Sequence, residues 1–351
     1  MRVSLEDIRS FYFNPLMDLF LSDCPCCGSK DIQAHTKYKT KNHGDRVIHY
    51  CRSCKNHFSD TYSTPLAGLK TPLSRIIPIL RMRTSGASLN ACAREFKVSK
   101  KSIIDWEWRL AGVKTTLLIY ALMQKFIDLV VEGDELYTKV DRNTKASDSE
   151  GWTLILMDRS SRFLWEMQCG RKNETLFKRA LSVLVTVIDQ TEDLTLFTDG
   201  ERRYGNILFT ICHQVIRDGK RGRPKTRLRK GVRVRLKNKG SKKRVGKPRA
   251  IYQAPIAEHP ETPQDIEDSE IHANHVEAYN ASLRRNNSAF RRKTNTYAKT
   301  VQDLQRTLDL QWIIHNFVRV HFTTKMVPAV KIGILETGLS WEDLFNIRYV
   351  A

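Results

Sequence analysis

The order of elements over residues 126–199 constrains this chain more than any other feature. An apolar run at 127–131 leads to Asp134, and residues 152–157 and 162–169 flank the turn Asp158-Arg159-Ser160-Ser161, which predicts an antiparallel hairpin. The pattern then changes to helical spacing over 173–188 and returns to a strand that closes at Asp199. Strand, strand, strand, helix, strand is an α/β order, and it sets two carboxylates at the ends of two separate strands.

This order begins a ribonuclease-H-like fold, in which the first and fourth strands are neighbours, so Asp134 and Asp199 are expected to meet. A third acid, Glu277, falls in a helix predicted over 271–290. There Val276, Tyr279, Leu283 and Phe290 mark a buried stripe, and Glu277, Asn280, Arg284 and Asn287 a polar one beside it. Two acids on strands and one on a helix suit two divalent metal ions acting on a phosphodiester, with Asn280 and Arg284 addressing the phosphate. The plain alternative for Glu277 is a solvated helix face. Glu132 and Glu135 flank Asp134 and are expected to point away from its face unless Gly133 bulges the strand, with Glu135 held in reserve. Asp158 is expected to serve its own turn.

The 351 residues carry a formal charge of +21, which favours a polyanionic partner, nucleic acid before membrane. Between Arg217 and Arg249 stand 17 Lys or Arg and a single acid, Asp218, so most of the charge sits in one stretch. Within it Arg221-Gly222-Arg223-Pro224-Lys225 has the form of a minor-groove hook, a match that chance supplies nearly as readily, and residues 231–236 alternate as a strand would. A solvated linker is the bland reading of this insertion.

Near the N-terminus, Cys24-Pro25-Cys26-Cys27 and Cys51-Arg52-Ser53-Cys54 form two C-x-x-C knuckles with 23 residues between them. Two such turns can complete a tetrahedron of thiolates around zinc, and the strand-like residues 47–50 make a zinc ribbon the expected form. Cys26, His35, His43, His49 and His57 are read as bystanders. Further on, residues 89–96, a short turn at Lys97-Val98 and the N-cap Ser99 give a helix-turn-helix, whose second helix offers Lys100, Lys101 and Ser102 to a major groove; an ordinary helical hairpin is its alternative. No apolar run has the length and purity of a membrane span, and the N-terminus has no signal-peptide core, so a cytoplasmic, nucleoid-associated protein is expected.

In this arrangement the chain resembles the DDE transposases of the insertion sequence one family. The resemblance rests on residues 134–138, on Thr198-Asp199-Gly200 with Tyr204, on Val276-Glu277 with Asn280 and Leu283-Arg284, on Arg291-Arg292-Lys293-Thr294 and on Tyr297-Ala298-Lys299. The Cys knuckles, the phrase Phe58-Ser59-Asp60-Thr61-Tyr62 and the helix-turn-helix belong to it too. It implies a catalytic triad of Asp134, Asp199 and Glu277 holding two Mg²⁺, for which Mn²⁺ can substitute. It also implies one structural Zn²⁺ on Cys24, Cys27, Cys51 and Cys54. Read from the residues themselves, DNA contacts are expected from Lys100, Lys101, Ser102, Arg221, Arg223, Asn280, Arg284, Arg291, Arg292 and Lys293, with a structural role on the solvated side as the alternative for the last three. The chain departs from the family where Tyr137 replaces a frequent Trp, where Ala278 replaces an Arg, and in the 77 residues between Asp199 and Glu277.

The expected architecture is therefore a zinc ribbon over 1–65, a helix-turn-helix over 66–115 and a ribonuclease-H-like catalytic domain over 116–351, with the basic insertion at about 217–269. The expected partner is double-stranded DNA, both element ends and target, with synapsis calling for a homodimer or larger assembly. Two rival functions use the same parts: a transcription regulator with an inactive catalytic half, and a nuclease that cleaves without joining.

Overall fold

The computed structural model describes residues 19–350, apart from 142–144, 200, 218, 220–221, 229–231, 238, 241–250, 253–255, 258–271 and 293–294. Its N-terminal part is a three-stranded antiparallel sheet, β1 (Ile32–Thr40), β2 (Gly44–Cys51) and β3 (His57–Ser59), in the order 1-2-3. The sheet is too small to enclose a core. Its buried apolar cluster consists of Cys24, Cys51 and Phe58, with Leu21, Ile32 and Cys54 against it.

Four helices follow: α1 (Leu73–Thr84), α2 (Leu89–Glu95), α3 (Lys100–Ala111) and α4 (Val113–Leu122). Serines start two of them. Ser88 accepts from the backbone N–H of Ala91 and Ser99 from that of Ser102, each satisfying a donor that the first helical turn leaves open. Between α2 and α3, Lys97 takes a positive φ of 50°, which closes the turn.

The central sheet contains β4 (Phe126–Tyr137), β5 (Trp152–Asp158), β6 (Leu164–Gly170) and β7 (Thr191–Asp199). Helix α5 (Glu174–Asp189), capped by Asn173, joins β6 to β7, and α6 (Arg203–Ile211) follows β7. A hairpin of β8 (His213–Ile216) and β9 (Lys225–Leu228) leads to β10 (Val232–Lys237). From one edge the sheet runs β6-β5-β4-β7-β10, and the short strand Ile256–Ala257 closes it. β4 pairs antiparallel with β5 and parallel with β7, and β10 is parallel to β7. The first and fourth strands are thus side by side, as the element order requires. Of the residues expected to alternate at 231–236, those from Val232 onward form a strand, the fifth member of this sheet, and residue 231 lies outside the described residues.

After the insertion come α7 (Asn274–Asn286) and α8 (Val301–Ile313), then a π-helical turn, Ile314–Val318. The helix predicted over 271–290 is shorter than expected. It ends at Asn286, and Asn287 caps a 3₁₀ turn, Ser288–Phe290, instead of continuing the polar stripe. α8 and the π turn lie across β6: Gln305 bonds the backbone of Met167 and Cys169, and Asn316 bonds both the N–H and the C=O of Leu164.

A single hydrophobic cluster runs from Ile76 and Trp106 in the helices through Leu154 and Trp165 in the sheet to Trp312 and Phe345 near the C-terminus. Buried ion pairs cross the same junction. Glu107 of α3 accepts from Arg83 of α1 at 2.6 Å and from Arg306 of α8 at 3.0 Å. Lys114 of α4 reaches Glu166 and Asp309 at 2.5 and 2.8 Å. Burial alone would lower the Lys114 pKa, but the two carboxylates raise it, so the ammonium stays charged. Among the described residues, no helix is long and apolar enough to cross a membrane.

Candidate metal centre and acidic site

Two features make the Cys knuckles alike. Gly28 and Lys55, each four residues beyond the first cysteine of its knuckle, have φ of 69° and 64°, and their N–H groups donate to the carbonyls of Cys24 and Cys51. Each chain segment therefore curls around its pair of thiols. The Sγ atoms of Cys24 and Cys54 lie 3.6 Å apart, as do those of Cys27 and Cys51, and all four fall within 4.8 Å of one another. A tetrahedral zinc with Zn–S of about 2.3 Å requires S···S of roughly 3.8 Å. The cluster could hold one zinc ion, and Cys26, which is exposed, stands outside it. Four thiols this close cannot all ionise unaided. The backbone N–H of Cys54 chiefly draws Cys51 down to about 6; for Cys27 the bond from Ser29 is outweighed by desolvation and the neighbouring thiols, which push it up to about 12.

The acidic site is built on β4. Its ladder with β5 continues through Tyr137, whereas its ladder with β7 stops at the pair Gly133–Thr198. Asp134 and Asp199 are the next residues on these two neighbouring parallel strands. The Asp199 backbone closes β7, and its side chain lies outside the described part of the structure. The strand does not bulge at Gly133. A Cβ there would stand 2.9 Å from the ring of Tyr204, a fully buried residue of α6, so glycine admits that ring onto the sheet.

Helix α7 covers the opposite face. Asn280, only 3% exposed, donates from Nδ2 to Asp134 Oδ2 at 2.6 Å, and Asp134 Oδ1 accepts the N–H of Glu135. Asn280 Oδ1 is buried and takes no hydrogen bond among the described residues, so a hard oxygen without a donor stands beside the carboxylate. Glu277 lies one turn earlier on α7 and is exposed. Arg284, half-buried, continues the same stripe one turn later.

The expectation for Glu132 is overturned. It does not face away from Asp134: two residues apart on a regular strand, both acids meet α7, as the period of two dictates. Glu132 is fully buried and accepts the N–H groups of His275 and Val276 at 2.9 and 3.0 Å and Arg159 Nε at 2.8 Å. The N-cap residue of α7, Ala273, has no capping side chain, so Glu132 supplies the cap from the sheet. Its oxygens also lie within 4.8 Å of ring nitrogens of His272 and His275, a group that could hold a metal. Because Arg159 and the helix N-terminus already neutralise this carboxylate, capping is the role that accounts for its contacts. Sequence reasoning missed Glu132; the missing cap at Ala273 was the available signal.

Glu135 does face the other side, where Lys172 donates to it at 3.1 Å. Burial pushes its pKa up to about 7 against the pull of Lys172. Asp158 serves its own turn, accepting from Ser160 Oγ and from the N–H and Oγ of Ser161.

Of the expected DNA contacts, Lys100 and Lys101 are exposed at the start of α3, and Ser102 is half-buried with its N–H in the cap. Arg291 and Arg292 are exposed. Arg223 is exposed in the loop between β8 and β9, while Arg221 and Lys293 lie outside the described residues. No protein-family model matches the chain, and no curated protein matches it.

Proposed function

We propose that this chain is a DDE-type DNA transposase with a ribonuclease-H-like catalytic domain. The carrying observation is that Asn280 of α7 bonds Asp134 while Asp134 and Asp199 occupy adjacent ends of the β4–β7 ladder, so that Glu277 stands one turn from that contact. The strand order, with its first two neighbours antiparallel and its last two parallel, supports the same fold. In this reading the zinc-bound ribbon and the exposed first turn of α3 bind double-stranded DNA at element ends, and two copies or more bring the ends together.

Asp134, Asp199 and Glu277 would hold two Mg²⁺, and the hard, unpartnered oxygen of Asn280 fits such a donor set. When bound, the ions activate a water or a terminal 3′-hydroxyl and stabilise the leaving oxygen. The protein's part is positional. Glu132 fixes the N-terminus of α7 on the sheet, Asn280 orients Asp134, and Arg284 is placed to meet a phosphate oxygen. Hydrolysis frees a 3′ end, and that hydroxyl then displaces one in target DNA, so no outside energy source is required.

A strand-transfer assay with purified protein, Mg²⁺ and a labelled DNA end tests this. Joined product is expected from the native chain and not from Asp134→Asn, which should still bind the end. Cleavage alone would favour a nuclease. Neither product, with binding intact, would favour a regulator.

A further inference from the structure

On the stripe of α7 turned away from Asp134, the helix borders a cleft of about 500 Å³. Its walls come from Tyr279 and Arg285 of α7, from Arg162 after the β5–β6 turn, and from the segment following the π turn, with Arg319, His321 and Phe322. No Asp or Glu lines it. Among the described residues, none of the three arginines forms an ion pair. Arg319 spends one N–H on the carbonyl of Thr84 at 3.3 Å. Burial depresses the pKa of both Arg162 and Arg319, for Arg162 against the pull of Glu132 and Asp158 and for Arg319 against that of Tyr279.

The rim carries a second anomaly. Phe322 is 84% exposed, at the tip of a tight loop that His321 closes through its backbone bonds to Met326 and Lys325. His321 Nδ1 also accepts from the N–H groups of Thr323 and Thr324, which holds the tip in shape. Lys325 Nζ sits 4.0 Å from the Phe322 ring centroid. A large exposed aromatic on a fixed loop, with Lys325 at its ring and three arginines without ion pairs beside it, matches a ligand with both a flat apolar face and negative charge.

We propose that this cleft binds unpaired nucleotides of a DNA strand, with a base stacked on Phe322 and the flanking phosphates on Arg285, Arg319 and Arg162. A base in a duplex has both faces covered by its neighbours, whereas an unpaired one offers a π-face to an aromatic side chain, whichever base it is. The inference rests on the reading of the chain as a DNA-binding protein and not on its catalysis.

The test is fluorescence anisotropy of the full-length protein without added Mg²⁺, against a labelled blunt duplex and the same duplex with a short oligothymidylate tail. The native protein should prefer the tailed duplex. Phe322→Ala should weaken tailed binding roughly 5- to 100-fold and leave blunt binding unchanged, and Phe322→Trp should restore the preference. Arg285→Ser should flatten the salt dependence of tailed binding by about one released ion. Because Phe322 and Arg285 are exposed, neither change threatens folding. Equal binding of both duplexes by the native protein, or equal loss on both in Phe322→Ala, would overturn the cleft assignment while leaving DNA binding intact. Failure to bind either duplex would overturn both.

Discussion

The ribbon and the body of this chain solve the same stability problem by different means. The ribbon has three small strands, a handful of buried side chains and four thiols in one cluster. The body, from α1 to the C-terminus, encloses one continuous hydrophobic core that Leu19 and Leu66, on either side of the ribbon, also join, and buried ion pairs cross it. A module with so little apolar surface would draw its stability from a cation held by those thiols, since metal binding at such a site is folding free energy. The body has no such dependence. What it needs instead is that its buried charges stay paired.

Metal removal should separate the two regions most widely. With zinc on the four thiols, as proposed, chelation or Cys51→Ser would remove a contribution of about 10–16 kcal/mol typical of structural zinc and should abolish protection of ribbon amides in hydrogen exchange. Amides of β4 to β7 should keep theirs; a loss of protection across both would show the comparison to be wrong. Next in size is Glu132→Ala, which takes from Arg159 its buried carboxylate and from the first turn of α7 its cap. Denaturant titration should show the body weakened by about 3–5 kcal/mol while zinc content stays at one ion per chain.

Smaller effects sharpen the contrast. Glu135 has a pKa raised to about 7 against an ordinary value of 4.5, so between these values the folded chain holds a proton that the unfolded chain has lost. Its contribution is full below about 4.5 and falls away as pH rises through about 7. Glu135→Gln should therefore gain stability relative to the native body as pH increases from 5 to 8, a trend that thermal melts would reveal and that the ribbon should not share. The least effect is expected from Ser99→Ala, which removes the cap of α3 and should cost about 1 kcal/mol in melts of the body. If α3 is a reading helix, the same variant should weaken duplex binding.

Legibility in the sequence followed how local the cause was. The Cys knuckles, the cap Ser99 and the hairpin at Asp158 are decided within a few residues, and each takes the form its spacing predicts. The adjacency of β4 and β7 was legible too, because the order of elements leaves few ways to pair them. Glu132 was not, since its partners His275 and Val276 lie more than 140 residues away and only the packed helix reveals an acid serving as a cap. Nor did the pattern at 231–236 tell which sheet its strand would join; the partner, β7, is set by tertiary packing. The Lys114–Glu166–Asp309 cluster escaped for the same reason. Each residue alone looks like a surface charge, and their burial follows only from the meeting of α4, β6 and α8.

Glu107, clamped by Arg83 and Arg306, has a consequence for DNA geometry. It ties α3 to α8, the helix that lies across β6, so under the proposed function the separation between the sequence contacted by α3 and the bond broken near Asp134 is fixed by the protein, like a gauge block. Moving the recognised sequence by half a helical turn from the cleavage point should then carry the scissile phosphate to the far side of the duplex.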